Sequence, residues 1–288
     1  MGKKPDSRAA GLDVGLSFIK WLTGAENLHY GFWEGLDVTA ANLLAAQEAY
    51  TDKLFALMPE GRLDILDIGG GAGETARKLL ARGHSVEIVV PSAFLAGRCR
   101  ENAPDAEVHE CRFEELETDR RFDLCLFSES FQYIPMEVAL QKSAGLLKPG
   151  GRVIIADCFR TPAYRAADPQ ATVGGGHTLS RFRRVLARSP LEVVHEEDIT
   201  RAVAPSVELE QGFFNIIGHG IRRVDTELSG TRPVLRWLIH RLLKMVLRER
   251  TRRRLDQRLN QKTRNIENFE RYNRYLLMKL RPVAPTAD

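Results

Sequence analysis

The stretch Leu63 to Glu74, Leu-Asp-Ile-Leu-Asp-Ile-Gly-Gly-Gly-Ala-Gly-Glu, limits the possible folds more than any other part of the chain. A short apolar run that ends in an acid reads as a buried strand. The glycines after it let the backbone turn sharply and leave no side chain between it and a ligand. From Thr75 to Arg82, Ala76, Leu79 and Leu80 recur at helical spacing. Strand, glycine turn and helix in that order make a cradle of nucleotide size, with the helix N-terminus aimed into it. A bare Gly-x-Gly also arises for packing reasons alone, so the segments that follow have to decide.

Val86–Val90, with Pro91 and Ser92, reads as a second strand ending in a turn. A third lies near Val108, and Phe122–Phe127 reads as a buried fourth. Leu146–Asp157 gives a helix end, a Pro149-Gly150-Gly151 turn and a fifth strand. Leu191–Thr200 alternates like a sixth, and Tyr275–Leu280 like a final one. Strands alternating with helical stretches predict an α/β fold with a doubly wound, mainly parallel seven-stranded Rossmann-like sheet and an antiparallel edge strand. Residues 1–9 read as loose, Leu12–Leu22 and Ala40–Met58 as helices, and Ser180 as the cap of a helix after Gly174-Gly175-Gly176.

Three segments carry a family resemblance: Leu66-Asp67-Ile68-Gly69-Gly70-Gly71-Ala72-Gly73, Phe122-Asp123-Leu124 leading into Ser128-Glu129-Ser130, and Leu147-Lys148-Pro149-Gly150-Gly151. Together they resemble the class I S-adenosylmethionine-dependent methyltransferases over roughly residues 60–160. A dinucleotide-binding domain instead carries Gly-x-x-Gly spacing and an acid about twenty residues on. Asn27–Gly35, with His29, Tyr30, Gly31 and Trp33, resembles the His-Tyr-Gly-x-Trp lead-in of methyltransferases acting on lipids and isoprenoids, such as cyclopropane synthases and tocopherol methyltransferases. There it lies over the cofactor as part of a lid. An aromatic staple packing the N-terminal helix onto the domain is a second, compatible reading. Ser128–Pro135 resembles the Ser-x-Glu-Ser-x-x-His-x-Pro segment of the tocopherol-type group, with Tyr133 where that group has histidine. Glu197-Asp198-Ile199-Thr200, followed by Val203 and Pro205-Ser206-Val207, resembles the same group.

The resemblance implies S-adenosylmethionine as cofactor and methyl transfer to a small hydrophobic acceptor: a lipid, an isoprenoid or a natural product. It divides the chain into an N-terminal helical lid (1–59), a methyltransferase core (60–206), a basic helical insertion (207–268) and a final edge strand and tail (269–288). The implied cofactor-binding residues are Tyr30, Asp67, Gly69, Gly70, Gly71, Ser92, Arg112, Phe113 and Ser128. Glu129, Tyr133 and His177 are the implied catalytic set, and no residue is assigned to a metal. Asp67 can accept bonds from loop amides or face an ammonium group. Glu129 can orient the sulfonium, act as a base of raised pKa, or cap the next helix. Tyr133 packs or orients substrate. His177, beside a glycine hinge, is a proton acceptor or a surface histidine. Phe113 offers a stacking face for adenine.

Two positions depart from the family. Val90 stands where an acid usually grips the ribose hydroxyls, Glu87 points elsewhere, and Ser92 offers only a neutral hydroxyl. Such a bond is worth about 1 kcal/mol, against roughly twice that for a charged partner. Arg112 stands where an Asp accepts the adenine amino group. A degenerate binding or scaffold relative is therefore the alternative function.

The formal charge of +4 matters less than its distribution. Residues 232–254 mix Trp237 and many Leu with Arg236, Arg241, Lys244, Arg248, Arg250, Arg252, Arg253 and Arg254, offset only by Glu249 and, further on, Asp256. A basic helix with an apolar face suits an anionic membrane surface, and a packed helix with solvated arginines is the plainer reading. RNA is a rival, disfavoured because aromatics are not interleaved with the arginines. A nucleic-acid methyltransferase ranks third among functions, since Ser-Glu-Ser stands where amino-directed enzymes carry an Asn/Asp-Pro-Pro-Tyr type of segment. No apolar run approaches a membrane span. Met1–Pro5 reads as no secretory signal, and Asp6 leaves the myristoylation pattern imperfect. Cys99, Cys111, Cys125 and Cys158 form no C-x-x-C pair, so free thiols and a cytoplasmic location are expected, with contact at the inner membrane surface as a further expectation.

Overall fold

A computed structural model describes residues 7–283 except 167, 169, 170, 172, 248, 261 and 262, and no side chain is described for residues 7–14, 250, 253 and 254. The expectations for Met1–Asp6, Arg248 and the tail after Val283 lie outside the described residues. So do those for the side chains of Leu12, Val14, Arg250, Arg253 and Arg254.

Seven strands form one sheet: β1 (Asp64–Ile68), β2 (Ser85–Val89), β3 (Glu107–His109), β4 (Phe122–Ser128), β5 (Leu147–Arg160), β6 (Leu191–Asp198) and β7 (Asn273–Pro282). Their order is β3-β2-β1-β4-β5-β7-β6. The strands from β3 across to β5 run parallel, and β7 runs antiparallel to both β5 and β6. The reversed strand thus lies at the β6 end, one position in from the edge. The helices are α1 (Ser7–Thr23), α2 (Leu43–Phe55), α3 (Glu74–Ala81), α4 (Ala93–Asn102), α5 (Met136–Leu146) and α6 (Leu179–Leu186). Between β6 and β7 come α7 (Thr200–Val203), α8 (Pro205–Thr231), α9 (Pro233–Val246), α10 (Glu249–Asn260) and α11 (Ile266–Tyr272).

Successive side chains of a strand point to opposite faces, so a sheet covered on both sides needs apolar residues at every position. β1 and β4 meet that demand except at Asp64, Asp67, Asp123 and Ser128. Ile65, Leu124 and Leu126 enter one buried cluster with Tyr50, Leu54 and Ile88, while Leu66, Ile68, Cys125 and Phe127 enter the other with Phe131 and Phe159. The central strands are therefore fixed in register, and their carboxyl ends are fixed with them.

Three local details depart from the sequence reading. Residues 7–9 are helical, because Ser7 to Ala10 continue the helix that follows. Ser180 lies inside α6, and Thr178 is the cap position, since its backbone is tied to Arg160 in an isolated bridge. The final strand starts at Asn273, because Asn265 accepts from the Asn268 amide at 2.8 Å and caps α11 just before it.

The insertion is built on α8. At Gly218 a Cβ would lie 2.1 Å from the Leu259 carbonyl, so the glycine allows α10 to cross closely, and Gln211 Nε2 donates to the Arg258 carbonyl at 2.8 Å. α9 folds back on α8 through Asp225, which accepts from Arg236 at 2.9 Å and from His240 at 2.7 Å. Among the described residues no helix is long and apolar enough to cross a membrane. The four cysteines are free thiols.

Candidate functional site

The turn after β1 has Gly69, Gly71 and Gly73 at φ of 80°, 56° and 88°. Side chains rarely adopt that region, so the glycine run is a backbone requirement. The loop is also tightly packed. A Cβ on Gly69 would lie 2.4 Å from the Ser130 Cβ, and one on Gly70 would lie 2.7 Å from both Asp67 Oδ2 and Ile88 Cγ2. Ser130 Oγ donates to the Ile68 carbonyl, which joins the loop to the chain leaving β4. Beneath the loop, Asp67 is fully buried and its Oδ2 has no hydrogen-bond partner. Burial alone pushes its carboxyl up to about 7. A buried, orphaned acid of this kind is satisfied by a cation or a strong donor.

Residues 26–33 form a strap over this loop. Glu26 receives Lys20 at 2.6 Å together with Arg98 and Asn102, and its own amide donates to Glu74 Oε1 at 3.1 Å. Burial works against the Glu26 charge, but bonds from Arg98, Lys20 and Asn102 outweigh it and hold the carboxyl at about 2. A group with a depressed folded pKa contributes stability above its unfolded value and loses it as pH falls. We therefore expect Glu26→Gln to remove part of the acid sensitivity between pH 4.5 and about 2, read as the difference in unfolding midpoint from the parent chain. An identical pH profile for both proteins would count against the strap.

Next in the strap, both amide atoms of Asn27 are buried without partners, and Leu28 Cδ1 lies 3.6 Å from where a Gly71 Cβ would stand. The far end is tied to α7 and to the start of α8. Ser206 Oγ accepts from the Gly31 amide at 2.9 Å and from Trp33 Nε1 at 2.8 Å, while the Trp33 amide donates to the Ala202 carbonyl at 2.8 Å.

The chain leaving β4 supplies the second half of the site. Glu129 has φ of 56°, a strained value for a residue with a side chain, and such outliers persist where their surroundings over-determine them. Its Oε1 accepts from the Tyr30 amide at 2.8 Å and from the Tyr275 hydroxyl at 2.9 Å. Tyr275 is 2.8 Å from the Tyr50 hydroxyl, which in turn is 3.1 Å from Ser128 Oγ. Burial pushes the Glu129 carboxyl up to about 8, assisted by the negative charge of Asp157 and opposed by the bonds from Tyr30 and Tyr275. Asp157 is itself buried and pushed to about 7, although Gln132 donates to it twice at 3.0 Å.

Asp67, Gly69, Gly70 and Gly71 thus meet at one loop, and Ser128, Glu129 and Tyr30 meet in one network beside it. Other predicted residues behave differently. Phe113 is sealed in the core, edge-on to Phe127 at 5.8 Å with Lys142 Nζ 5.5 Å from its ring centre, so it has no free face for adenine. Arg112 is exposed at the start of the turn holding Phe113. Ser92 Oγ accepts from the Leu95 amide at 3.4 Å and caps α4, which leaves its hydroxyl proton and one lone pair for a ribose. Val90 is core, and Glu87 is committed to His109 at 2.7 Å and Arg120 at 2.6 Å. Glu87, Glu107 and His109 are close enough to share a cation, but Arg120 already stands against Glu87.

His177 is held by one ring nitrogen, which leaves Nδ1 as the ring's acceptor. Its Nε2 is 2.9 Å from the Ile134 carbonyl and 3.3 Å from that of Phe131, so this nitrogen carries a proton and donates it. Tyr133 is 70% exposed and turns its ring to the outside. Sequence reasoning assigned no role to Tyr275, Tyr50, Glu26 or Ser206. A tyrosine inside an otherwise apolar strand, as at Tyr275, was the available signal, because a buried hydroxyl needs a partner.

A glycine loop after β1, on a sheet of this order with one strand reversed beside β5, is the class I methyltransferase fold. Residues 65–151 match the family model described as a methyltransferase domain. Over 110 residues the chain is 32% identical to a tRNA 5-carboxymethoxyuridine methyltransferase of Escherichia coli K12, covering 35% of this chain and 42% of that protein. The chain therefore matches less than half the length of that relative. Geranyl diphosphate C-methyltransferase of Streptomyces coelicolor superposes with a TM-score of 0.64 at 15% identity, over 98% of this chain and 100% of that one. A cyclopropane synthase of Mycobacterium tuberculosis gives 0.67 at 15% identity, over 93% and 95%. At such identity these two matches show the fold.

Proposed function

We propose that the protein transfers a methyl group from S-adenosylmethionine to a small hydrophobic acceptor. The observation that carries this reading is the buried Asp67 carboxyl, whose Oδ2 has no partner, under a loop in which Gly70 has no room for a Cβ. The ammonium of a methionine moiety would satisfy that acid and return it to its charged form. The residues present fit such a donor at its methionine end. At the ribose end they offer one neutral serine hydroxyl and backbone, so weaker binding is expected than with an acid at Val90.

The donor supplies an electrophilic methyl on sulfonium, and the chain's contribution is alignment and exclusion of water. Glu129 holds the strap down through the Tyr30 amide, and Tyr275 and Tyr50 hold Glu129. In this reading residues 1–59 act as the lid, 60–206 as the core, 207–268 as an accessory insertion and 269–288 as the closing strand and tail. The buried free thiols suit a reducing, cytoplasmic setting.

The small apolar acceptor is supported by the likeness to proteins named for geranyl diphosphate and for cyclopropane synthesis. A second reading, an RNA acceptor, is favoured by the Escherichia coli tRNA enzyme and the arginine-rich α10. Incubation with methyl-labelled donor and either an apolar cell extract or total tRNA separates them. Label passing into the organic phase is the expected result. Label in tRNA alone would overturn the apolar acceptor, and donor binding without any label would favour the scaffold alternative.

A further inference from the structure

α9 and the outer half of α8 form a hairpin that stands away from the sheet. No residue of α9 is buried. Its apolar side chains face water at large fractions, with Val234 72%, Trp237 57%, Leu242 57% and Met245 71% exposed. On α8, Ile216, Ile221 and Val224 are exposed as well. Isolated surface leucines are ordinary, but a contiguous apolar face of this extent marks an interaction surface. Trp21 of α1 is also exposed, and α1 is tied to α8 by Phe18 stacked on Phe213 at 3.8 Å.

The chain's positive charge is concentrated in α9 and in α10, which follows it. From Arg232 to Asn260 there are ten Lys or Arg against two Asp or Glu, a net +8. The whole chain is +4, so the rest sums to −4. Arg241 lies over the Trp237 ring at 5.3 Å, a cation and an amphipathic aromatic side by side. The hairpin is held by Asp225 to Arg236 and His240, at 2.9 and 2.7 Å, so its apolar face is presented on a braced element.

The two properties discriminate among occupants. A second copy seated on this face would cover the leucines but set like charges against each other. RNA would meet the arginines but leave the apolar side chains in water. An anionic bilayer accepts both, with Trp and Leu in the headgroup boundary and the cations among acidic headgroups. We infer that the α8–α9 hairpin, with α10 packed on α8, docks the protein on an anionic membrane surface without crossing it. This goes beyond methyl transfer and holds whichever acceptor the site takes. Ser206, at the start of α8, also anchors Gly31 and Trp33, so the docking helix and the strap share one support.

The test is co-sedimentation of the full chain with vesicles of phosphatidylglycerol and phosphatidylcholine, against phosphatidylcholine alone. The expected result is retention on the anionic vesicles about tenfold or more above the neutral ones, weakened by salt. Leu242→Glu with Met245→Glu removes the retention, and its unfolding midpoint and circular dichroism stay those of the parent because neither side chain is buried. Equal indifference to both vesicles overturns the inference. So does self-association, read by light scattering, that the double variant abolishes while vesicles are ignored. Saturable binding to tRNA without vesicle binding overturns it too.

Discussion

Gly69→Ala is expected to destabilise the protein by about 3 kcal/mol and to abolish donor binding. Alanine at φ of 80° pays the left-handed penalty of about 1–2 kcal/mol. The added Cβ would also lie 2.4 Å from the Ser130 Cβ. Ser130 cannot simply withdraw, because its hydroxyl donates to the Ile68 carbonyl at the end of β1. Overpacking of this kind costs about 1–3 kcal/mol. Either the loop lifts or the chain leaving β4 moves, and both displace the backbone that faces the donor. Urea unfolding measures the first effect and a thermal shift with donor the second. A variant within about 0.5 kcal/mol of the parent would mean that the loop has slack the packing does not reveal.

The second large effect is expected at Glu129. Glu129→Ala leaves the Tyr30 amide without its acceptor and the Tyr275 hydroxyl with Tyr50 alone, and an unsatisfied buried donor costs about 1–3 kcal/mol. We expect a loss of about 2 kcal/mol in stability and about tenfold or more in turnover, because the strap is released. Glu129→Gln keeps an oxygen for both donors. The Glu129 carboxyl, raised from 4.5 to about 8, is mainly protonated at neutral pH, so Gln imitates the form already present. A raised folded pKa gives stability that is full below the unfolded value and is lost as pH rises through the folded one. The window is therefore 4.5 to about 8, and across it the Gln variant should gain on the parent in unfolding midpoint. A Gln variant that folds and binds donor but has no turnover would instead assign proton removal to Glu129.

The parts of this site that the sequence revealed are those whose signals are local. β1, its glycines and α3 are consecutive, and the Pro149-Gly150-Gly151 turn directly precedes the buried part of β5. The reversed strand was visible as alternation from Tyr275 to Leu280. The network around Glu129 was not, because Tyr275 is 146 residues from it and Ser206 is 175 from Gly31. No periodicity links positions so far apart. Two residues misled for a different reason. Phe113 sits among charged neighbours in sequence, yet Phe127 and Lys142 close around its ring. His177 follows a glycine run that reads as a hinge, but a Gly176 Cβ would lie 1.8 Å from the Cys158 carbonyl. Those glycines serve close packing, and the histidine is fixed with them.

Titration calorimetry of the intact chain with S-adenosylmethionine and its demethylated product tests the central claim most directly. Saturable heat at one site per chain is the predicted outcome, diminished by Asp67→Asn and absent in Gly69→Ala. No heat with either ligand up to millimolar concentration, from a chain whose unfolding is cooperative, would contradict it.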